Sequence, residues 1–144
     1  KRRVCMRELF PLFQTAPQSA AAALPLLRDV GMDYEKGAPL FAGGNPVVVS
    51  GLEAVKSWAW RAIQTARYRY SSFSWDYGCE LENLVGQPYG QDTRRSEAVR
   101  YVREALEVCP YITSAQAVVE GLEGSSLHIR VVMRTVYGDG TLEV

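Results

Sequence analysis

Several things this sequence lacks narrow the reading before anything it contains. It has no excess of one charge: 16 Lys and Arg balance 16 Asp and Glu over 144 residues. No global field therefore draws the chain to nucleic acid or to an anionic membrane. It has one histidine, and its three cysteines, Cys5, Cys79 and Cys109, are odd in number and widely spaced. That spacing contains neither a zinc motif nor a redox pair, and it does not fit a secreted disulfide framework. Free, buried thiols in a reducing compartment are expected, with no metal and no cofactor. No apolar run approaches the roughly 20 residues of a membrane span, and the longest, 20–27, is interrupted by Pro25. Gly43-Gly44 is not followed by the Gly-Lys-Ser/Thr of a phosphate loop.

What is present fits one domain with a real core, at 47% hydrophobic and 22% charged residues. Residues 1–30 read as an extended arm, because Pro11, Pro17 and Pro25 each end helical continuity. Phe10 and Phe13 are too apolar for a solvated tail and are expected to anchor the arm on its own domain or on a neighbour. Residues 31–144 form the domain. A hairpin is expected over 33–42 with its bend at Lys36-Gly37, then a loop at 43–46 and a short β run at 47–49. Ser50 and Glu53 have capping-box spacing. The helix they open has Leu52, Val55, Ala59, Ala62, Ile63 and Ala66 on one face, with Trp58 beside that stripe and Trp60 off it. Residues 67–74 alternate like a strand, and 79–85 allow one or two helical turns. A second helix, capped by Asp92 or Thr93, places Ala98, Val99, Val102, Ala105 and Leu106 together and ends before Pro110. Strands follow at 115–120 and 127–137, with a last short strand at 141–144. In the second of these, Leu127, Ile129, Val131 and Met133 alternate with polar or outward residues. The expected fold is α+β: a small sheet with a C-terminal antiparallel hairpin packed against two main helices, plus the arm.

The run F-S-W-D-Y-G-C-E-L-E at 73–82 is the densest in chemically capable groups. Glu80 and Glu82 are two residues apart on a helical turn and face different ways, unlike a carboxylate pair across a cleft. Cys79 with His128 has no local signature and no third orienting group. Arg67-Tyr68-Arg69-Tyr70 interleaves bases with aromatics, as a single-strand binder does, but the alternation equally suits a sheet with one buried side. The run is better read as a corner made of Trp75, Asp76, Tyr77, Gly78 and Cys79. In that reading Gly78 permits the bend, Asp76 accepts nearby amides, the two aromatics pin the bend and Cys79 fills space.

Taken as one unit, V-V-V-S-G-L-E-A-V-K-S-W-A-W-R-A-I-Q-T-A-R-Y-R-Y followed by S-W-D-Y-G-C-E-L-E-N-L-V-G-Q resembles the baseplate wedge and sheath-initiator proteins of contractile phage tails. The likeness is greatest to the version in Gram-positive prophages and phage-tail-like bacteriocins. The wider family includes the small T4-type baseplate protein once labelled lysozyme-like. It has a T-x-x-G-E-R segment after its first helix, matched loosely here by 63–68, and an aromatic–Gly–Cys turn, matched by Asp76-Tyr77-Gly78-Cys79. A second helix, a Glu-Pro-Arg turn and a terminal hairpin follow. Here the Glu-Pro-Arg position is Cys109-Pro110-Tyr111, so the proline remains and both charges are gone.

The resemblance implies a non-enzymatic part of a tail or virion baseplate, assembled in the bacterial cytoplasm in several copies around a sixfold tail. Its implied partners are tail sheath subunits, baseplate wedge proteins and tube or hub proteins; the balanced charge and short apolar runs add the expectation of no nucleic acid and no membrane span. It would template the first sheath ring by strand exchange. The edge expected for this is Leu127, Ile129, Val131 and Met133 with Thr141, Leu142 and Val144. Trp60, Pro110, Tyr111, Phe10 and Phe13 are the wedge-contact candidates. The old family label supplies the alternative, a peptidoglycan-cleaving enzyme.

Overall fold

The structure is a computed structural model and describes residues 23–123 and 126–144. The sequence expectations for 1–22, including Phe10 and Phe13, lie outside the described residues. The architecture is α+β, as the hydrophobic periodicities predict, with two α-helices and small antiparallel sheets among the described residues.

The first unit is a wing of short strands. β1 (Arg28–Val30) pairs with β6 (Val48–Ser50), β2 (Met32–Asp33) with β3 (Ala38–Pro39), and β4 (Phe41–Ala42) with β5 (Asn45–Pro46). Three backbone bonds join the ladders at one point: Gly31 N–H to Val47 O, Leu40 N–H to Gly31 O, and Val47 N–H to Leu40 O, each 2.8 Å. The arm boundary shifts as a result, since β1 lies within the stretch read as arm. The Asp33 carboxylate accepts from the Glu35 and Lys36 amides and closes the β2–β3 bend.

α1 (Leu52–Gln64) buries Ala54, Val55, Ala59, Ala62 and Ile63. The capping box does not form: Ser50 pairs with Arg28 in the β1–β6 ladder, and Gly51, with φ of 64°, occupies the cap position without a side-chain bond. Strand pairing outcompetes the local cap because it also fixes the wing. α2 (Gln91–Glu107) buries Ala98, Val102, Ala105 and Leu106, and Gly90 caps it rather than Asp92 or Thr93. Between the helices, 67–77 is a series of turns and not the strand its alternation predicts, with a single-turn 3-10 helix at Leu81–Leu84.

The main sheet has the order β7–β8–β9, from β7 (Ile112–Glu123), β8 (Ser126–Thr135) and β9 (Gly138–Glu143). α2 packs on β7 and α1 on β9, both on one face. Val55, Ala59, Ile63, Val102, Leu106, Ile129, Val131, Met133 and Leu142 make the core between them. Burying a side chain such as Val131 or Met133, both 0% exposed, stabilises the fold by about 1.5–3 kcal/mol. The opposite face carries Gln116, Val118, Arg130, Val132, Arg134, Thr141 and Glu143 and stays open. There Arg130 bridges Glu120 at 2.9 Å and Glu143 at 3.3 Å.

Candidate functional site

The free edges of the main sheet follow from hydrogen-bond parity. Ile129 and Val144 exchange both backbone bonds, at 2.8 and 2.9 Å. In an antiparallel ladder such pairs alternate, so Val131 with Leu142 and Met133 with Gly140 also face each other. Arg130, Val132 and Arg134 then turn their amides the other way, to Val118, Gln116 and Ser114 of β7. What remains outward on β7 is the backbone of Ala115, Ala117 and Val119. On β9 it is that of Asp139, Thr141 and Glu143. No strand among the described residues pairs with either edge.

This geometry corrects the edge expected from sequence. β8 is the central strand, paired on both sides, so its backbone is not free. The side chains of Ile129, Val131, Met133 and Leu142 are in the protein's own core. Leu127 is half-buried, Val144 is tied to Ile129, and Thr141 alone of the set is exposed on an outward backbone position. The apolar alternation correctly marked a core face, but it could not say which strand lay in the middle.

The 73–82 corner is closed by a parallel bridge. Cys79 N–H donates to Thr65 O at 2.8 Å, and Arg67 N–H donates to Cys79 O at 3.0 Å. Gly78 has φ of 106°, and a Cβ there would meet Thr65 O at 2.8 Å and Arg67 N at 3.0 Å. Tyr77 is half-buried, edge-on to Trp58 at 5.7 Å and 4.7 Å from the Phe73 ring. Trp75 does not pin the bend: it is 80% exposed, and among the described residues its ring pairs with that of Tyr68, at 5.9 Å. The Asp76 carboxylate accepts no hydrogen bond from the described residues. Tyr68, Tyr70, Phe73 and Trp75 form an exposed aromatic loop that the strand reading of 67–74 concealed.

The two glutamates of the run are held in ion pairs. Arg67 donates to Glu80 at 3.1 Å and to Gly78 O at 3.1 Å, and Arg69 reaches Glu82 at 3.2 Å. Burial pushes the Cys79 thiol up, away from the thiolate a nucleophile needs. Cys79 lies in the core layer with Ile129, whereas the adjacent His128 is exposed on the sheet's other face.

Two wedge-contact candidates are engaged internally. Trp60 is half-buried, 6.5 Å from Tyr34 and against Gly37, so it lies beneath the β2–β3 hairpin. Tyr111 is 9% exposed, stacks on Tyr137 at 6.0 Å and donates its hydroxyl proton to Pro25 O at 2.9 Å. Pro110 is exposed. Sequence reasoning missed the apolar wing surface of Leu40, Phe41 and Val48. It also missed a groove of about 530 Å³ walled by Ile63, Ala66, Leu84, Val85, Leu127 and Val144, with Arg94 at its side. Both arise from tertiary juxtaposition and leave no local pattern. No helix among the described residues is long and apolar enough to cross a membrane.

The family model described as "Contractile injection system sheath initiator" matches residues 28–138. The chain is also 31% identical over 98 residues to the phage-like element PBSX protein XkdS of Bacillus subtilis (strain 168), which covers 67% of this chain and 68% of that one. The chain belongs to the sheath initiator family of contractile injection systems.

Proposed function

We propose that this protein is a non-enzymatic baseplate component that seeds the first ring of a contractile tail sheath by offering an open strand edge to sheath subunits. The observation that carries this reading is the three-stranded sheet with both outer edges unpaired among the described residues, the longer edge running along the 12 residues of β7. An unpaired row of amides and carbonyls is a template for another chain's strand. The helices lie on one face, and Asp139, Thr141 and Glu143 along the β9 edge are exposed. Wedge and hub proteins are the partners on the baseplate side, with exposed Pro110 in their contact. Trp60 and Tyr111 serve that contact only by shaping the surface above them. Copies arranged around a sixfold tail would convert weak edge contacts into strong avidity. The phage-like element relative supports placement in a tail baseplate.

The test uses proline at outward amides, where it deletes a donor for an incoming strand and spares the internal ladder. Ala117→Pro and Thr141→Pro proteins should fold, by unchanged circular dichroism, and should give baseplates on which sheath fails to start, seen by electron microscopy of assembled tails. Normal sheath on baseplates carrying both substitutions would overturn the edge reading.

A further inference from the structure

The turns at 68–77 enclose a slot of about 350 Å³ whose walls are largely aromatic. Tyr68 and Trp75 form one ring pair, with centroids 5.9 Å apart. Phe73 stands between Tyr70, edge-on at 6.1 Å, and Tyr77, at 4.7 Å, and these three make the other group. Tyr77 roots that group on Trp58 of α1. Two tight turns hold the rings in order, with Phe73 N–H donating to Tyr70 O at 3.3 Å and Tyr77 N–H to Ser74 O at 3.1 Å. Tyr68 has φ of 66° and is the one non-glycine residue at positive φ among the described residues. A bulky side chain takes that conformation at a cost and keeps it where its surroundings dictate its direction. Yet Tyr68, Tyr70 and Trp75 stay exposed, so this order does not serve the core.

The polar groups of the wall narrow the ligand chemistry. Arg69 is its one charged side chain, and no carboxylate or carboxamide lines it. An organic cation would be repelled by Arg69, and a sugar's hydroxyl donors would find neither kind of acceptor. A nucleic-acid strand needs free positive charge, whereas Arg67 and Arg69 are already held by Glu80 and Glu82. The exposed donors are the Tyr68 and Tyr70 hydroxyls and the Trp75 indole N–H. They suit a chain rich in carbonyl acceptors, poor in N–H donors and apolar at its sides. Proline has that chemistry, since it keeps its carbonyl and lacks the N–H.

We propose that the slot docks an extended, proline-containing segment of another protein, its proline rings lying on the aromatic walls and its carbonyls accepting from Trp75 Nε1 and the tyrosine hydroxyls. In a polyproline helix, residues i and i+3 share a face about 9 Å apart, so one face of the segment presents successive rings to the slot. That helix exists before binding, and tyrosine and tryptophan have only two χ angles to fix, so both sides lose little entropy. The proposal does not rest on the strand-edge reading.

The test uses the full-length protein and a fluorescein-labelled proline decamer, with binding read by anisotropy and located by NMR. Binding should saturate by millimolar protein, and the Trp75 indole N–H and the amides of 68–77 should shift while those of β8 stay still. Trp75→Ala and Tyr70→Ala should each weaken binding at least tenfold with unchanged circular dichroism, and Val118→Ala on the open sheet face should not. A serine–glycine decamer, a hexamer of N-acetylglucosamine and an oligothymidylate should fail to displace the probe. Absence of saturable binding, or equal binding by Trp75→Ala, would overturn the proposal. So would tighter binding of the sugar or the oligothymidylate at these rings. Shifts at 68–77 that grow with protein concentration alone would also overturn it, by assigning the slot to a second copy.

Discussion

At the scale of single residues, Gly78 and Trp75 show how neighbours in one motif carry different weight. Gly78 combines a left-handed φ with backbone atoms where a Cβ would sit. Gly78→Ala should cost roughly 1–3 kcal/mol from strain alone and lower the melting temperature by several degrees in a thermal scan. Trp75→Ala, at a site 80% exposed, should stay within about 0.5 kcal/mol of the parent. A scan in which Trp75→Ala is the more damaging would reverse this assignment. The glycine's role was legible because its conformational freedom is a property of the residue itself. The tryptophan's was not, since nothing local distinguishes which of several adjacent aromatics finds a partner. Tyr77 found Trp58, and Trp75 found only another exposed ring.

At the scale of elements, the two helices were legible because burying one face demands a 3.6-residue period. The wing was only partly so, as its strands are two or three residues long and β1 pairs with a strand some twenty residues on. Only tertiary support makes such pieces persist. One support is visible: Arg61, from the last turn of α1, pairs through Nη2 with Asp29 of β1. Asp29→Ala should weaken the wing's attachment by roughly 1–2 kcal/mol, discounted because Arg61 is partly exposed. Hydrogen exchange over 28–50 should then quicken about tenfold while α2 and β8 keep their protection. Uniform acceleration through the whole chain would show instead that the wing and core open as one unit.

For the molecule as a whole, pH offers a readout of how tightly the layers close. Burial pushes up the thiols of Cys79 and Cys109 and the hydroxyl of Tyr77. In the unfolded chain a thiol ionises from about pH 8.5, while the folded protein still holds its proton, so rising pH favours the unfolded state. Stability should be full near neutrality and decline above roughly pH 8.5, visible as a lower urea midpoint at alkaline pH than at neutral pH. A flat profile would mean that the core admits solvent at both cysteines. The overall class, helices on one face of a small sheet, was legible from the order of periodicities. Strand order was not, because β9 reaches β8 only through the chain reversal after Thr135, whose side chain accepts from the Tyr137 amide.

The one-sided helix layer has a consequence for fidelity. A strand laid along β7 or β9 would send alternate side chains towards the apolar helix layer and the rest towards the polar open face. Slipping it by one residue inverts both sets at once, exposing apolar groups and burying polar ones. On the strand-edge proposal, the sheet would therefore act as a parity filter, accepting a guest in alternate registers and rejecting those between. The two-layer fold alone, without any recognition of individual side chains, would keep a growing ring in phase.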